Sequence, residues 1–375
     1  MEYLTQQALI HFWALAFGLL TVVFTVAAIF SKRNVTKNIN ITLLSLCCAL
    51  MLAEIYFSLR YTSTYYALAD TENIKTSDAA EVPCNANAEP DPVLGYRPVS
   101  RQIRSHCIKK YGSTEVYNAI YTSLDSGWRV TPQRGNTADT AVVFFGCSFT
   151  FGEGLKDSET FPYRVGQLLG DRYQVLNLGF SGYGAHQMLA EIESGRLDPM
   201  LRDYKKAHFY FLTIESHVER CGGLMLWDRD SRRYVLDHGE VVDTGTFREH
   251  LSLPRRLAEW VFRKSFVFEL LFNRPTKAER QHMTELHLAI LEKCNKLLLE
   301  KYGQPLVVLL WPGAESFKEP LNRAGVATVE LAPLLPGYRD ASNPYRIPHD
   351  GHPNARAANI IAETIAGRIR AEDSQ

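Results

Sequence analysis

Net charge is the first thing this sequence lacks: over 375 residues, 41 basic and 41 acidic side chains cancel. A balanced chain gives no electrostatic argument for a nucleic-acid surface or a polyanionic substrate, so no nucleic-acid partner is expected. Cysteine is sparse: the seven cysteines form no CxxC pair and no Cys/His cluster at zinc spacing. That excludes a structural zinc motif or a thioredoxin-like motif, and neither a metal nor a cofactor is expected. Basic residues are also missing ahead of the first apolar run, where the first seven residues carry Glu2 but no Lys or Arg. A cleaved signal peptide would need that basic start. Apolar residues are plentiful, and the 46% hydrophobic content is ample for a packed core.

Two long apolar runs open the chain. Residues 8–30 and 41–59 each have the length to cross a hydrocarbon layer of roughly 30 Å, with Glu54 as the acidic interruption of the second. Between them lie Lys32, Arg33 and Lys37, while the far flank of the second run opens with only Arg60. The excess of positive charge assigns that loop to the cytoplasm, so residues 1–60 read as a two-pass hairpin in a bacterial inner membrane, with the rest of the chain outside. His11 and Glu54 come to similar depth in such a hairpin, either as a pair or as two side chains that each reach the interface.

The exported part divides further. Residues 61–92 are polar and without periodicity, as in a tether, and residues 93–140 read as a small β-rich prologue. From residue 141 to the C-terminus, short continuous apolar runs at 141–145, 174–178, 208–212 and 305–310 alternate with helical patterns at 161–169, 186–193, 279–302 and 353–369. Strands buried on both faces and alternating with helices predict an α/β fold: a three-layer, flavodoxin-like parallel sheet with its reactive loops beyond the carboxyl ends of the strands. An insertion at about 221–275 differs in character. It begins with a candidate hairpin and continues into a basic, aromatic helix with Arg255, Arg256, Trp260 and Phe262, readable as a lid, as a surface resting on a membrane, or as an ordinary amphipathic helix packed on the domain. In the exported region Cys84 and Cys107 are candidates for a disulfide, whereas Cys294 shares a helical face with Leu291 and Leu298 and is expected in the core.

Chemistry concentrates in two places. Gly146-Cys147-Ser148 leaves the strand at 141–145, a position that projects a serine hydroxyl at the sheet edge next to free main-chain N–H groups. Near the C-terminus, Asp350-Gly351-His352-Pro353 precedes the last helical pattern, with Pro353 expected at its first turn. Both halves fall on the same predicted sheet edge and supply a nucleophile, a base and an orienting acid. Cys147 is a rival nucleophile by chemistry, but side chains alternate in direction along a strand, which turns Cys147 away if Ser148 faces the site.

These residues resemble the SGNH, or GDSL-like, hydrolase family over residues 141–375, interrupted by the insertion. The family's Gly-Asp-Ser block matches Gly146-Cys147-Ser148, with Cys147 in place of the Asp; the resemblance makes Ser148 the nucleophile and a main-chain oxyanion donor. Its second block matches Asn177-Leu178-Gly179-Phe180-Ser181-Gly182, which gives Gly182 the role of an oxyanion N–H donor. Its last block matches Asp350 and His352, here with one intervening residue, as in relatives that acetylate exported polysaccharides. The third block departs: the family's Asn is missing from Thr213-Ile214-Glu215-Ser216-His217, leaving Ser216 or His217, or a protonated Glu215, as replacement donors. The resemblance implies a serine O-acyl esterase working through an acyl-enzyme on acylated, chiefly acetylated, envelope or secreted carbohydrate or another small ester. Its alternatives are an O-acetyltransferase supplied by a membrane acyl-donor protein and, given the two missing family residues, a domain that binds glycans without turning them over.

Overall fold

The computed structural model describes residues 12–65, 81–83, 88–111, 113–262, 265, 267–268, 275–340 and 343–374. The chain forms two compact units, Met1–Leu68 with Leu251–Thr276, and Ala69–His250 with Lys277–Gln375.

The first unit holds two long helices, α1 (Phe12–Phe30) and α2 (Asn34–Tyr65). Both contain windows apolar and long enough to cross a membrane, with mean hydropathy 2.3 and 1.8. The hydroxyls of Thr21 and Thr25 donate back to the carbonyls of Phe17 and Thr21 at 2.8 and 2.7 Å, which satisfies them inside an apolar helix. α2 begins earlier and ends later than the apolar run suggested, so Lys37 lies in its first turn, not in a loop. His11, the candidate partner of Glu54, lies outside the described residues. Glu54 itself is buried and accepts hydrogen bonds from the Ser265 hydroxyl and, at 3.2 Å, from the Val267 N–H. The segment read as a single insertion at 221–275 is therefore divided: its hairpin stays with the second unit, and the helix Leu253–Phe262 belongs with α1 and α2.

The second unit begins with the prologue strands β1 (Glu81–Pro83), β2 (Ala88–Asp91), β3 (Gly95–Pro98), β4 (Arg104–Tyr111) and β5 (Thr114–Thr122). β1 and β2 fall in the stretch that reads as a tether. Asp91 closes the β2–β3 turn by accepting from the Val93 and Leu94 N–H groups at 2.9 and 2.8 Å. β4 and β5 pair antiparallel, and β1 joins β4 in parallel. Cys107, on β4, is disulfide-bonded and fully buried; Cys84, its expected partner, lies outside the described residues.

The main sheet is built from β6 (Thr140–Gly146), β7 (Tyr173–Gly179), β8 (Lys206–Thr213), β11 (Leu306–Leu310) and β12 (Ala327–Glu330). All its pairings are parallel, in the order β12-β11-β8-β6-β7. Renumbered within the sheet this is 2-1-3-4-5, the flavodoxin-like order, whose direction reverses beside the first strand and opens a crevice at its carboxyl end. Alternate residues feed two cores. Val143, Phe145, Phe209 and Phe211 pack with Ile290 and Leu291, whereas Val142, Phe144, Tyr210 and Leu212 pack with Ile361 and Ile365. Helices α3 (Ser148–Phe151), α4 (Phe161–Leu169), α5 (Ala185–Glu193), α6 (Ser216–Cys221), α7 (Lys277–Tyr302) and α8 (Ala355–Asp373) follow in chain order, and the hairpin β9 (Arg232–Asp237) and β10 (Glu240–Thr246) precedes α7. Cys294 sits in the first core on α7, where burial pushes its thiol well above the usual range. Pro353 does not open α8. Asn354 is the N-cap, its side chain accepting from the N–H groups of Arg356 and Ala357 at 3.1 Å each, and Pro353 stands one residue outside.

Candidate active site

The crevice at the end of β6 is shaped by a glycine. Gly146 takes a φ of 147°, and a Cβ there would lie 2.2 Å from the Thr150 hydroxyl, so no side chain fits where the strand turns into α3. Cys147 stays extended as the N-cap of α3 and is wholly buried in the second core. Ser148, first in the helix, faces the other way. Asn177 of β7 secures this turn by donating to the Thr150 carbonyl at 3.1 Å while accepting from the Gly179 N–H at 3.1 Å. A Cys147→Ser variant is accordingly expected to keep near-normal turnover on an activated ester once folded. Loss of activity there with Ser148 intact would transfer the chemistry to the thiol.

The C-terminal loop comes to the same place. His349 and Gly351 adopt left-handed φ values of 61° and 95°, and the Asp350 and Gly351 N–H groups close back on the Ile347 carbonyl at 3.2 and 3.3 Å. This tight turn lets an Asp and a His separated by one residue share a hydrogen bond. The His352 main-chain N–H donates to Asp350 Oδ1 at 3.0 Å, and the same oxygen takes the ring Nδ1. The other ring nitrogen, Nε2, lies 2.9 Å from Ser148 Oγ. Ser148, His352 and Asp350 therefore form one continuous hydrogen-bonded chain across 204 residues of sequence.

Two charged residues flank that chain, neither given a role by the sequence motifs. Lys109 of β4 donates to Asp350 Oδ2 at 2.6 Å, so the prologue reaches into the site. Glu153 places a carboxylate oxygen 3.9 Å from His352 Nε2 and accepts from the Ser181 hydroxyl at 2.8 Å. Burial alone would push the Asp350 carboxyl up, but His352 and Lys109 more than offset it and hold Asp350 well below the usual range. Burial pushes His352 down, yet the charges of Glu153 and Asp350 win, and its pKa lies above the ordinary 6.5. Lys109 is 241 residues from Asp350, and no spacing rule connects them; Glu153 lies inside the nucleophile motif and was visible there without a partner.

Behind α3 stands Arg129, also missed. Its guanidinium is fully buried and donates to the carbonyls of Phe151, Gly152 and Leu155 at 2.8, 2.7 and 2.6 Å and to Asp157 at 3.2 Å. It lies over the rings of Tyr121 and Phe151.

Gly182 sits in the loop after β7 with a φ of 85°; a Cβ there would lie 2.4 Å from the Tyr96 hydroxyl and 2.7 Å from the Trp227 indole nitrogen. Tyr96 donates to the Ser181 carbonyl at 2.8 Å, which fixes the loop next to Glu153. Among the described residues, no hydrogen-bond partner is found for the main-chain N–H of Ser148 or of Gly182. The third-block candidates behave differently. His217 is fully buried, turned to Phe211 and His287, with Nδ1 accepting from the Ile214 N–H at 3.4 Å. Burial and the nearby Arg220 hold it well below the usual histidine range, so it belongs to the core and not to the crevice. Ser216 is half-buried at the start of α6. Glu215 is exposed and faces Arg339 at 3.3 Å. Among the described residues no group of three or more His, Cys, Asp or Glu side chains is arranged to hold a metal ion.

The sheet order is flavodoxin-like and carries a serine–histidine–aspartate chain at its switch point, the arrangement that the resemblance to the SGNH, or GDSL-like, hydrolases implies. No protein-family model and no curated protein matches the chain. Among solved structures it is similar to a lipolytic protein of the G-D-S-L family from Veillonella parvula (11% identity, 61% of this chain and 97% of that one, TM-score 0.35). It is also similar to a carbohydrate acetylesterase from Sinorhizobium meliloti (12% identity, 62% and 99%, TM-score 0.31). An α/β hydrolase from the Lake Arreo metagenome aligns likewise (12% identity, 62% and 95%, TM-score 0.36).

Proposed function

We propose that the protein is a membrane-anchored serine O-acyl esterase that removes acyl groups, chiefly acetyl, from envelope or secreted carbohydrate. The observation that carries this is the hydrogen-bonded chain from Ser148 Oγ through His352 to buried Asp350 at the carboxyl end of β6. In this reading His352 Nε2 takes the hydroxyl proton as Ser148 Oγ attacks the ester carbonyl, and the oxyanion is held by the Ser148 and Gly182 N–H groups. Collapse releases the sugar alcohol, to which His352 returns the proton. Water, deprotonated by His352, then cleaves the acyl-enzyme and frees the carboxylic acid. Asp350 keeps the ring in the tautomer with the proton on Nδ1 and stabilises the imidazolium. With no side-chain amide after β8, two main-chain donors carry the oxyanion, and turnover is expected to be slow by about 10²–10³ relative to a three-donor hole.

The hairpin α1–α2, with Lys32 and Arg33 between the helices and Lys37 in the first turn of α2, supports a two-pass anchor in a bacterial inner membrane with the catalytic unit outside. Release of acetate from acetylated oligosaccharides, with and without a non-acetylated glycan acceptor, is the test. Acetate released in proportion to protein and lost in Ser148→Ala supports the esterase. Acetyl groups moved onto the acceptor without acetate release would make it a transferase, and neither outcome in folded protein would leave a glycan-binding domain.

The charges around His352 give a pH prediction with a definite sign. Because His352 must be neutral to accept the Ser148 proton, kcat/KM falls as pH drops through its pKa, and that limb is expected above pH 6.5. Glu153→Gln removes a negative charge and moves the limb to lower pH. Lys109→Met removes a positive charge, moves it to higher pH and lowers kcat by roughly tenfold, since Asp350 loses a partner, while Lys109→Arg restores most of the profile. Unmoved limbs in both charge-removing variants would contradict this electrostatic arrangement.

A further inference from the structure

The helix Leu253–Phe262 is inside out for a helix in water. Its buried side carries Glu259, paired with Arg255 at 2.9 Å, and Arg255 lies over the Phe268 ring at 5.3 Å. Its outward side carries Leu253, Leu257 and Trp260, which are 77%, 62% and 72% exposed. Positions 253, 257 and 260 are spaced i, i+4, i+7 and form one continuous apolar stripe. Arg256 is exposed alongside it. A helix that buries its carboxylate and turns two leucines and a tryptophan outward has the pattern of an element whose outer solvent is not water.

The company this helix keeps says which solvent. It belongs to the same compact unit as α1 and α2, and the segment that follows it is tied to Glu54 of α2 by the Ser265 hydroxyl and the Val267 N–H. Glu54 stands three residues before Phe57, the last residue of the apolar window of α2, so the attachment lies at the end of the span. A polar side chain there is expected to meet the headgroup level, where tryptophan and arginine are favoured.

We infer that the helix Leu253–Phe262 is an interfacial helix, its Leu253, Leu257 and Trp260 stripe inserted among the lipids of the leaflet at the Glu54 end of α2. Glu54 serves as the latch that holds the following segment against the span. The inference rests on reading α1 and α2 as membrane spans. It makes the chain bind its bilayer by two spans and one in-plane helix.

Full-length protein in nanodiscs of phosphatidylcholine and phosphatidylglycerol tests it, with photoreactive benzoylphenylalanine placed singly at Leu257, Trp260, Leu19 of α1 and Glu240 of β10. Leu19 is 67% exposed on a span and reports on the spans themselves; Glu240 is exposed on the second unit and gives the aqueous background. Lipid adducts at 257 and 260 comparable to those at 19, and at least about tenfold above those at 240, are the expected result. Adducts at 19 with background levels at 257 and 260, or cross-links from 257 and 260 to other parts of the chain as a lid would give, overturn the interfacial helix and leave the spans standing. Background levels at 19 overturn the membrane reading itself and the inference with it. As a second readout, Glu54→Gln, which weakens the latch while keeping a hydrogen-bond acceptor, is expected to lower lipid adducts at 257 and 260 several-fold with those at 19 unchanged.

Discussion

Replacing Ser148 by Ala is expected to lower kcat/KM on an activated acetyl ester by about 10⁶-fold, His352→Ala by a similar factor, and the double variant scarcely further. The reason is the single hydrogen-bonded chain: Ser148 Oγ is nucleophilic only while His352 Nε2, 2.9 Å away, can take its proton, so removing either group removes the same step. Asp350→Asn is expected to be milder, at about 10⁴-fold, because nucleophile and base remain while the charge that stabilises imidazolium is gone. Here the aspartate also holds Lys109, so the neutral variant leaves that ammonium facing an amide. Steady-state kinetics of the four variants, with folding checked by circular dichroism, is the measurement. Losses that multiply in the double variant would show two independent contributors and not one unit.

Arg129→Met is expected to be the most destabilising single change in the catalytic unit, by about 3–5 kcal/mol. The methionine fills much of the space but donates nothing, so the buried carbonyls of Phe151 and Leu155 lose the donor that holds them, and the Gly152 carbonyl and the Asp157 carboxylate keep only the N–H groups of Leu155 and Thr122. These carbonyls belong to the turn immediately after Ser148, so the same change loosens the nucleophile. A fall of about 10 °C in the thermal midpoint of the full chain in detergent, with activity lost below the transition as well, is the expected result. A midpoint within about 2 °C of the parent would show that the turn holds without the guanidinium.

The parallel sheet was legible because strands covered on both faces leave unbroken apolar runs, and β6, β7, β8 and β11 fall where those runs lie. β12 was not, since Ala327–Glu330 is a four-residue edge strand, half-buried throughout, with no run to see. The hydrogen-bonded grouping of Ser148, Asp350 and His352 was readable because each lies in a short motif next to a strand end or helix start. Lys109 and Arg129 act through side-chain contacts between distant segments, for which no local pattern exists. Pro353 was placed two residues too deep because a capping Asn354 follows it, and the cap prevails over proline's preference for the first helical position. The helix Leu253–Phe262 shows its amphipathic spacing in sequence, but spacing is symmetric: it does not tell which side faces in, and here the outward side is the apolar one.

An activated serine reacts with a fluorophosphonate at neutral pH, whereas an ordinary serine does not, so covalent labelling followed by peptide mass mapping asks most directly whether this crevice is a catalytic site. A single adduct on Ser148, abolished in His352→Ala and slowed as pH falls through the raised pKa of His352, is the expected outcome. Folded, full-length protein that takes no label, or takes it equally with His352 removed, would contradict a serine-esterase mechanism and leave this fold with a binding role.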